Sequence, residues 1–564
     1  MISSILPAAL LLAGANLVSS QFVTPPTSLT TKKGYAGVNV RYKEVPAGTC
    51  EVNPHVKSYS GYADVSDDQH IFWWFFEARN QDPTTAPLTV WINGGPGSSS
   101  MIGLFTENGP CRISADGGVV NNPYSWNEAS NMIYIDQPVG TGFSYSKAVN
   151  SYQDANGNTV PLTNGSCPAG STCGTFSVAD AGVTPNSTAA AAPFFWKTLQ
   201  GFMGAFPQYS RNGFHFSSES YGGHYGPVFN TYIEHQNAKI QKNPSVGHPI
   251  KLESVIIGNG WYDPLIQYAA YYNFTVSPGN TYDYRPFNET IEKQMYNSMY
   301  GKGQCYDQTV QCYNTGANDV CSSADNFCAN NVEEVLDIVA NRDEYDIREL
   351  SPDPFPENYY NDYLNTPKVQ SAVGAFVNFT AGSNTVGTAF GSTGDDDRTD
   401  GTVADVRELV ADGVTVVLYF GDADYNCNWL GGQAVADEIN APGYCDAGFV
   451  NVTTCDGIVH GQVKQSGTFS FVRVYDSGHL VPYYQPEIAL AIFERALYNK
   501  DIATGEHYIA PHSWYKTKGP KYSTYREGNS TVQFTVLPTT ATYNTTTNEP
   551  NPIVNGTKAA KKNL

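Results

Sequence analysis

Residues 213–224 read Gly213-Phe214-His215-Phe216-Ser217-Ser218-Glu219-Ser220-Tyr221-Gly222-Gly223-His224, and the rest of the chain is organised around this stretch. A short apolar run is followed by a turn of small residues and then by residues that can start a helix. Such a strand–turn–helix is a nucleophile elbow, which lifts the Ser220 hydroxyl clear of a sheet; Ser218 stands where a glycine is usual. Glu219 is the unexpected neighbour, because a fixed negative charge beside a forming oxyanion slows the reaction. A glutamate that works there is protonated or bound to an anionic group. The pair Glu219-Ser220 therefore points to a substrate that carries its own carboxylate.

Seven apolar, β-branched or aromatic runs read as buried strands: Ile71–Phe76, Leu88–Ile92, Met132–Ile135, Phe214–Ser217, Val255–Ile257, Thr415–Phe420 and Phe469–Tyr475. Helical patterns separate some of them, such as Phe194-Phe195-Trp196 with Leu199, Phe202, Met203 and Phe206. The alternation predicts an α/β chain with a mostly parallel central sheet and helices on both faces. Two stretches break it. Residues 147–185, rich in Asn, Gly, Ser and Thr, read as a surface excursion. Residues 262–364 hold four cysteines and amphipathic segments such as Val332–Val339, and read as a disulfide-rich cap insertion. The core then consists of residues 21–261 and 365–510, and residues 535–564 form a Thr/Asn-rich flexible tail.

Two further strand ends carry the groups a nucleophilic serine requires. Gly421-Asp422-Ala423-Asp424 follows one strand, and Asp476-Ser477-Gly478-His479 follows another. A serine hydroxyl needs an adjacent base, and the imidazole needs a carboxylate that fixes its tautomer and stabilises its cation. The chain order Ser, Asp, His is that of α/β-hydrolases. A third strand end carries Asn93-Gly94-Gly95-Pro96-Gly97-Ser98. Its glycines let backbone N–H groups approach a reacting carbonyl, together with the N–H of Tyr221. A phosphate cradle is excluded, since no Gly-Lys-Ser/Thr follows.

Trp91–Gly97, Asp136–Tyr145, Glu219–Gly223, Asp424–Trp429 and Gly478–Pro482 occur in that order, and together they resemble the serine carboxypeptidase family. The resemblance implies an α/β-hydrolase fold and release of single C-terminal residues from peptides and proteins at acidic pH, through an acyl-enzyme, without metal or cofactor. It implies Ser220 as nucleophile, His479 as base and Asp424, rather than Asp422, as the orienting acid. Gly95 and Tyr221 would form the oxyanion hole. Asn93, Gly94 and Glu219 would bind the substrate carboxylate, with Glu107 sharing a proton with Glu219. Like charges in a desolvated site cannot all ionise, so such a pair stays protonated above the usual carboxylate range.

The chain departs from the family pattern at Ser98, where a cysteine is frequent, and at Leu480, where a methionine is usual in the substrate pocket. Cys427 matches a free thiol that lines that pocket in some relatives. A related acyltransferase or esterase is the nearest alternative, and the presence of Asn93, Glu107 and Glu219 weighs against it. An inactive secreted binding glycoprotein would be expected to have lost Ser220, Asp424 or His479, and all three are present.

Composition places the protein outside the cell. Residues 1–20 carry the apolar run and small-residue end of a signal peptide, although no Lys or Arg precedes the run. Glycosylation sequons occur at Asn164, Asn186, Asn273, Asn288, Asn378, Asn451, Asn529, Asn544 and Asn555. Eleven cysteines predict the bridges Cys167–Cys173, Cys445–Cys455, Cys305–Cys328 around Cys312–Cys321, and Cys50–Cys111, with Cys427 left over. Zinc is a poor reading of the 305–328 cluster, which has no Cys-x-x-Cys and no interleaved histidine. A net charge of −21 disfavours nucleic acid and anionic membranes as partners. The expected partners are peptide and protein C-termini. Monomer and dimer are both compatible with the sequence, as is attachment to a cell wall.

Overall fold

A computed structural model of the protein describes residues 22–523, except 155–156, 164, 179–181, 277–281, 283, 352 and 400, together with the short strands Tyr543–Asn544 and Glu549–Pro550. The expected signal peptide, the tail apart from those two strands, and the sequons at Asn164, Asn529 and Asn555 lie outside the described residues, as does the Asn544 side chain.

Twelve strands form one sheet: β1 (Thr30–Lys33), β2 (Asn39–Glu44), β3 (Ser58–Ser66), β4 (Gln69–Phe76), β5 (Leu88–Ile92), β6 (Asn131–Ile135), β7 (Phe214–Glu219), β8 (Leu252–Gly258), β9 (Thr415–Gly421), β10 (Val450–Thr453), β11 (Val459–Ser466) and β12 (Phe469–Val474). Their spatial order is β1-β2-β3-β4-β6-β5-β7-β8-β9-β12-β11-β10. The six strands from β6 to β12 in that order are mutually parallel. Antiparallel strands extend the sheet at both ends, β1–β4 on one side and β11 and β10 on the other. The outermost strands, β1 and β10, are the more exposed ones, because antiparallel edges can face water.

Side chains alternate across the parallel strands and build a core on each face. Val90 and Ile92, Val255 and Ile257, and Val416 and Leu418 point to one side. There they meet α1 (Thr188–Ala205), α2 (Gly222–Lys242), α6 (Thr402–Ala411) and α7 (Trp429–Ile439). Trp91, Ile256, Val417 and Tyr419 point to the other side, against α8 (Pro486–Leu497) through Ile488, Ile492 and Phe493. Helices therefore cover both faces, as the alternation of apolar runs predicts.

The segment between β8 and β9 is largely helical. It includes α3 (Pro264–Thr275), α4 (Cys305–Thr315) and α5 (Asn318–Cys328), the last two pinned by Cys305–Cys328 and Cys312–Cys321. Val332–Val339 does not continue as a regular α-helix: residues Ala329–Glu333 and Leu336–Ala340 are π-helical. Residues 147–185 contribute a separate three-stranded antiparallel sheet, held by Cys167–Cys173. Cys50–Cys111 is also formed.

Two expectations fail. Cys445 and Cys455 are free, exposed thiols and not a bridge. Cys445 precedes β10 and Cys455 follows it, so a strand rising about 3.3 Å per residue separates them. Asn378 is buried, with its Oδ1 accepting from the Thr175 N–H and its Nδ2 donating to Asn365, so its amide is not open to a glycan. Asn186, Asn273, Asn288 and Asn451 are exposed. Among the described residues, no helix is long and apolar enough to cross a membrane.

Candidate active site

Because the central strands are parallel and in register, their C-terminal ends deliver the predicted residues to one edge of the sheet. Ser218 of β7 lies beside Ile92, and Glu219 beside Gly258. Ser220 follows with a left-handed φ of 60°. For a residue other than glycine, that conformation costs about 1–3 kcal/mol and persists only where its surroundings over-determine it. Here they do: the Ser220 N–H donates to the carbonyls of Gly258 and Asn259, and the Ser220 carbonyl accepts from Trp261 N. A Cβ on Gly222 would strike the Ser218 hydroxyl, and one on Gly223 would strike the Trp261 backbone. Ser218 fits without being glycine because its hydroxyl donates to the Ile92 carbonyl.

His479 Nδ1 lies 2.8 Å from Asp424 Oδ2. The same oxygen accepts from Asn259 Nδ2 at 2.6 Å and from the Cys427 N–H at 3.3 Å. With Nδ1–H donating to Asp424, His479 Nε2 is left as the basic nitrogen. Asp422 has other partners: Oδ1 accepts from Tyr282 and from the Asp476 N–H, and Oδ2 lies 3.5 Å from Arg473. The imidazole is thus paired with Asp424, while Asp422 is engaged elsewhere. Burial depresses the His479 pKa, but the Asp424 carboxylate, with Glu107 and Glu344 beyond it, more than offsets this and raises it.

The glycine loop lies directly on the elbow. A Cβ on Gly94 would run into the Tyr221 amide nitrogen and the Ser220 side chain. Asn93 Oδ1 accepts from Trp91 Nε1 and the Gly103 N–H, which orients Nδ2 to donate to Glu219 Oε1 at 2.8 Å. Glu107, at the end of the helix Met101–Thr106, is 1% exposed, and its oxygens make no well-formed hydrogen bond among the described residues, with Glu219 and Asn93 as the polar groups beside it. Only a proton on one of the two carboxyls gives the pair a hydrogen bond. Burial pushes Glu107 up to about 7, and burial together with the Glu107 charge holds Glu219 well above the ordinary range.

A cavity of about 490 Å³ opens over Ser220, Tyr221 and Gly95. Cys427 lines it, and burial followed by the Asp424 charge pushes its thiol well up. Leu480 is half-buried ahead of the helix Val481–Tyr484 and is not among the residues that line this cavity. Five acidic residues also line it: Glu333, Glu334, Asp337, Glu344 and Asp396. Sequence reasoning missed these and missed Asn259. For Asn259, the Gly258-Asn259-Gly260 turn after a strand was the available signal; the acidic wall comes from residues scattered over some sixty positions. Among the described residues, no group of three His, Cys, Asp or Glu side chains could hold a metal ion.

A serine at a strained strand-to-helix turn, a His–Asp pair on neighbouring strand ends and a glycine loop against the elbow define a hydrolase of the α/β class. Residues 46–499 match the family model described as serine carboxypeptidase, and the chain belongs to that family. Carboxypeptidase S1 of Penicillium janthinellum is 39% identical over 463 residues, covering 81% of this chain and 99% of the relative. Carboxypeptidase S1 homolog B of Arthroderma otae is 39% identical over 543 residues, covering 88% and 81%. The crystal structure of Kex1(delta)p, a prohormone-processing carboxypeptidase from Saccharomyces cerevisiae, shares the fold, with a TM-score of 0.63 at 23% identity over 80% of this chain and 94% of that one. The enzyme is a serine-type carboxypeptidase.

Proposed function

We propose that Ser220 is the nucleophile of this carboxypeptidase. Its hydroxyl proton passes to His479 Nε2 as Oγ bonds to the carbonyl carbon of the last peptide bond. The N–H groups of Gly95 and Tyr221 stabilise the oxyanion. Collapse of the tetrahedral intermediate breaks the C–N bond, and His479 returns the proton to the leaving amine. Water, deprotonated by His479, then releases the acyl group from Ser220. Asp424, held by Asn259 and the Cys427 N–H, fixes the imidazole.

The observation that carries the exopeptidase reading is the Asn93–Glu219–Glu107 group beside the elbow. A protonated Glu219, with Asn93 and the Gly94 N–H, donates to the terminal carboxylate of the substrate; ionised, it repels it. The carboxyl wall of the cavity favours neutral or cationic side chains and excludes anionic ones. Blocking the Cys427 thiol with a mercurial should fill that cavity and inhibit, and full activity after blocking would refute its place there. Secretion and glycosylation at the exposed sequons complete the reading.

The decisive experiment compares blocked dipeptides with free-acid and amide C-termini at pH 4–5. Strong preference for the free acid is expected. Equal rates on both would replace the carboxypeptidase site with that of a general esterase or amidase.

A further inference from the structure

The loop Thr393–Arg398 carries three consecutive aspartates that face three parts of the enzyme. Asp397 Oδ1 accepts from Thr309 of α4. Asp396 lines the cavity, and its carbonyl accepts from Trp261 Nε1. Asp395 is fully buried and turns towards the elbow. Its Oδ2 accepts three hydrogen bonds: from the Tyr221 hydroxyl at 2.7 Å, and from the backbone N–H and hydroxyl of Thr188 at 2.8 and 2.7 Å.

Thr188 opens α1, so the carboxylate ties Tyr221 to the first turn of a long core helix. The Tyr221 ring is further held by stacking on His224 at 4.8 Å and by the edge of Tyr225 at 5.2 Å. Asp395 is in turn fixed from the cap side: Gly394 has a φ of 59°, and a Cβ there would strike the Cys321 backbone of α5. Asp395 is thus held in place from the cap on one side and by α1 on the other. Its grip ends on the one side chain whose own backbone N–H follows Ser220.

We propose that Asp395 is a positioning residue for the hydrolytic step: by holding the Tyr221 hydroxyl it sets the direction of the Tyr221 N–H that donates to the oxyanion. The inference rests on the role given above to Ser220 and Tyr221. A hydrogen-bond donor aimed at developing charge is effective only at its correct position, and displacements of about 1 Å cost on the order of a hundredfold in rate.

The test measures kcat, KM and melting temperature for Tyr221→Phe, Asp395→Asn, the double variant, Thr188→Val and Ser220→Ala in the full-length enzyme. Tyr221→Phe should lower kcat roughly ten- to hundredfold, with KM within about twofold. Asp395→Asn keeps an acceptor but exchanges the carboxylate for a weaker amide oxygen, so it should lower kcat in the same direction but by less. The double variant should be no worse than Tyr221→Phe, since both act on one contact. Thr188→Val, which removes the helix-side hydroxyl but keeps the backbone N–H on Asp395, should lower the melting temperature and cost less in kcat than Tyr221→Phe. If Tyr221→Phe keeps kcat within about twofold while Ser220→Ala is inactive, the positioning role is wrong and Asp395 serves only α1. If Ser220→Ala retains activity, the catalytic assignment fails and takes this one with it. Tyr221→Phe loses a single hydroxyl, so it decides the matter should Asp395→Asn not fold.

Discussion

Two groups of carboxyls stand near Ser220 and are built on different terms. Glu219 and Glu107 stand on core elements, one at the end of β7 and one at the end of a short helix, with Asn93 locked by Trp91 and Gly103 between sheet and loop. Glu333, Asp337 and Glu344 stand on the irregular π-helical segment and the loop that follows it, and Asp396 joins them from another loop. Asn426 Nδ2 donates to both Glu333 and Glu344, whereas Asp337 Oδ1 is buried with no partner among the described residues. Burial is the first cause of the raised pKa in both groups; Asp337 reaches about 7, with the Glu344 charge adding to it. On the function proposed above, the difference teaches that similar acid–base properties would serve two purposes. The rigid core pair suits a group common to every substrate, the terminal carboxylate. The cap group, less regularly supported, suits a side chain that varies.

The largest effect should come from cutting the core pair. Glu219→Ala should reduce kcat/KM for free-acid peptides about a hundredfold while sparing C-terminal amides, because a hydrogen bond to a charged partner contributes about 1.5–3 kcal/mol and Glu107 is left unpaired. If both substrate types suffer alike, the pair is structural. Next comes pH. KM for peptides should rise as pH passes through 7, where Glu107, pushed up to about 7 by burial, loses its proton and places a negative charge behind Glu219. Glu219→Gln, which always donates, should flatten that rise. An unchanged KM profile in this variant would refute proton sharing.

The cap group should give a smaller change. Glu333→Gln with Glu344→Gln should lower the preference for Lys or Arg over Leu side chains by about three- to tenfold, and the wild-type preference should grow between pH 5 and 7 as Asp337 and its neighbours ionise. Equal preferences in both enzymes would sever the cavity wall from specificity. The smallest effect is on stability. Glu107, Asp136 and Asp476 have folded-state values of about 7, 6 and 8, above ordinary values of 4.5 and 3.8. Folding therefore favours their protonated forms, a contribution complete below pH 4 and lost as pH rises through 6 to 8. The melting temperature should fall by several degrees between pH 5 and 8; a rise would show that these groups do not govern stability.

The parallel strands were legible because buried strands read as unbroken apolar runs: Leu88–Ile92 has the expected bounds, and most of the others differ by one to three residues at an end. β3, Ser-Tyr-Ser-Gly-Tyr-Ala-Asp-Val-Ser, and β11, Val-His-Gly-Gln-Val-Lys-Gln-Ser, escaped because antiparallel strands towards the sheet edges carry polar residues that blur the pattern. Val332–Val339 shows helical periodicity, yet adopts π-helical turns under the packing of the cap. A sequon says nothing of burial, so Asn378 misled; a ten-residue spacing says nothing of the strand inside it, so Cys445 and Cys455 did too.

Glu219-Ser220, the Gly94-Gly95 turn and the order of Ser220, Asp424 and His479 follow from local chemistry: turn geometry, strand ends and residue type are written in short stretches of chain. The Asn259 clamp, the acidic wall and the Asp395–Tyr221 tie depend on which distant strand ends and loops meet. Contacts between residues a hundred or more positions apart are set by packing of the whole sheet and its helices, and only the tertiary structure decides them.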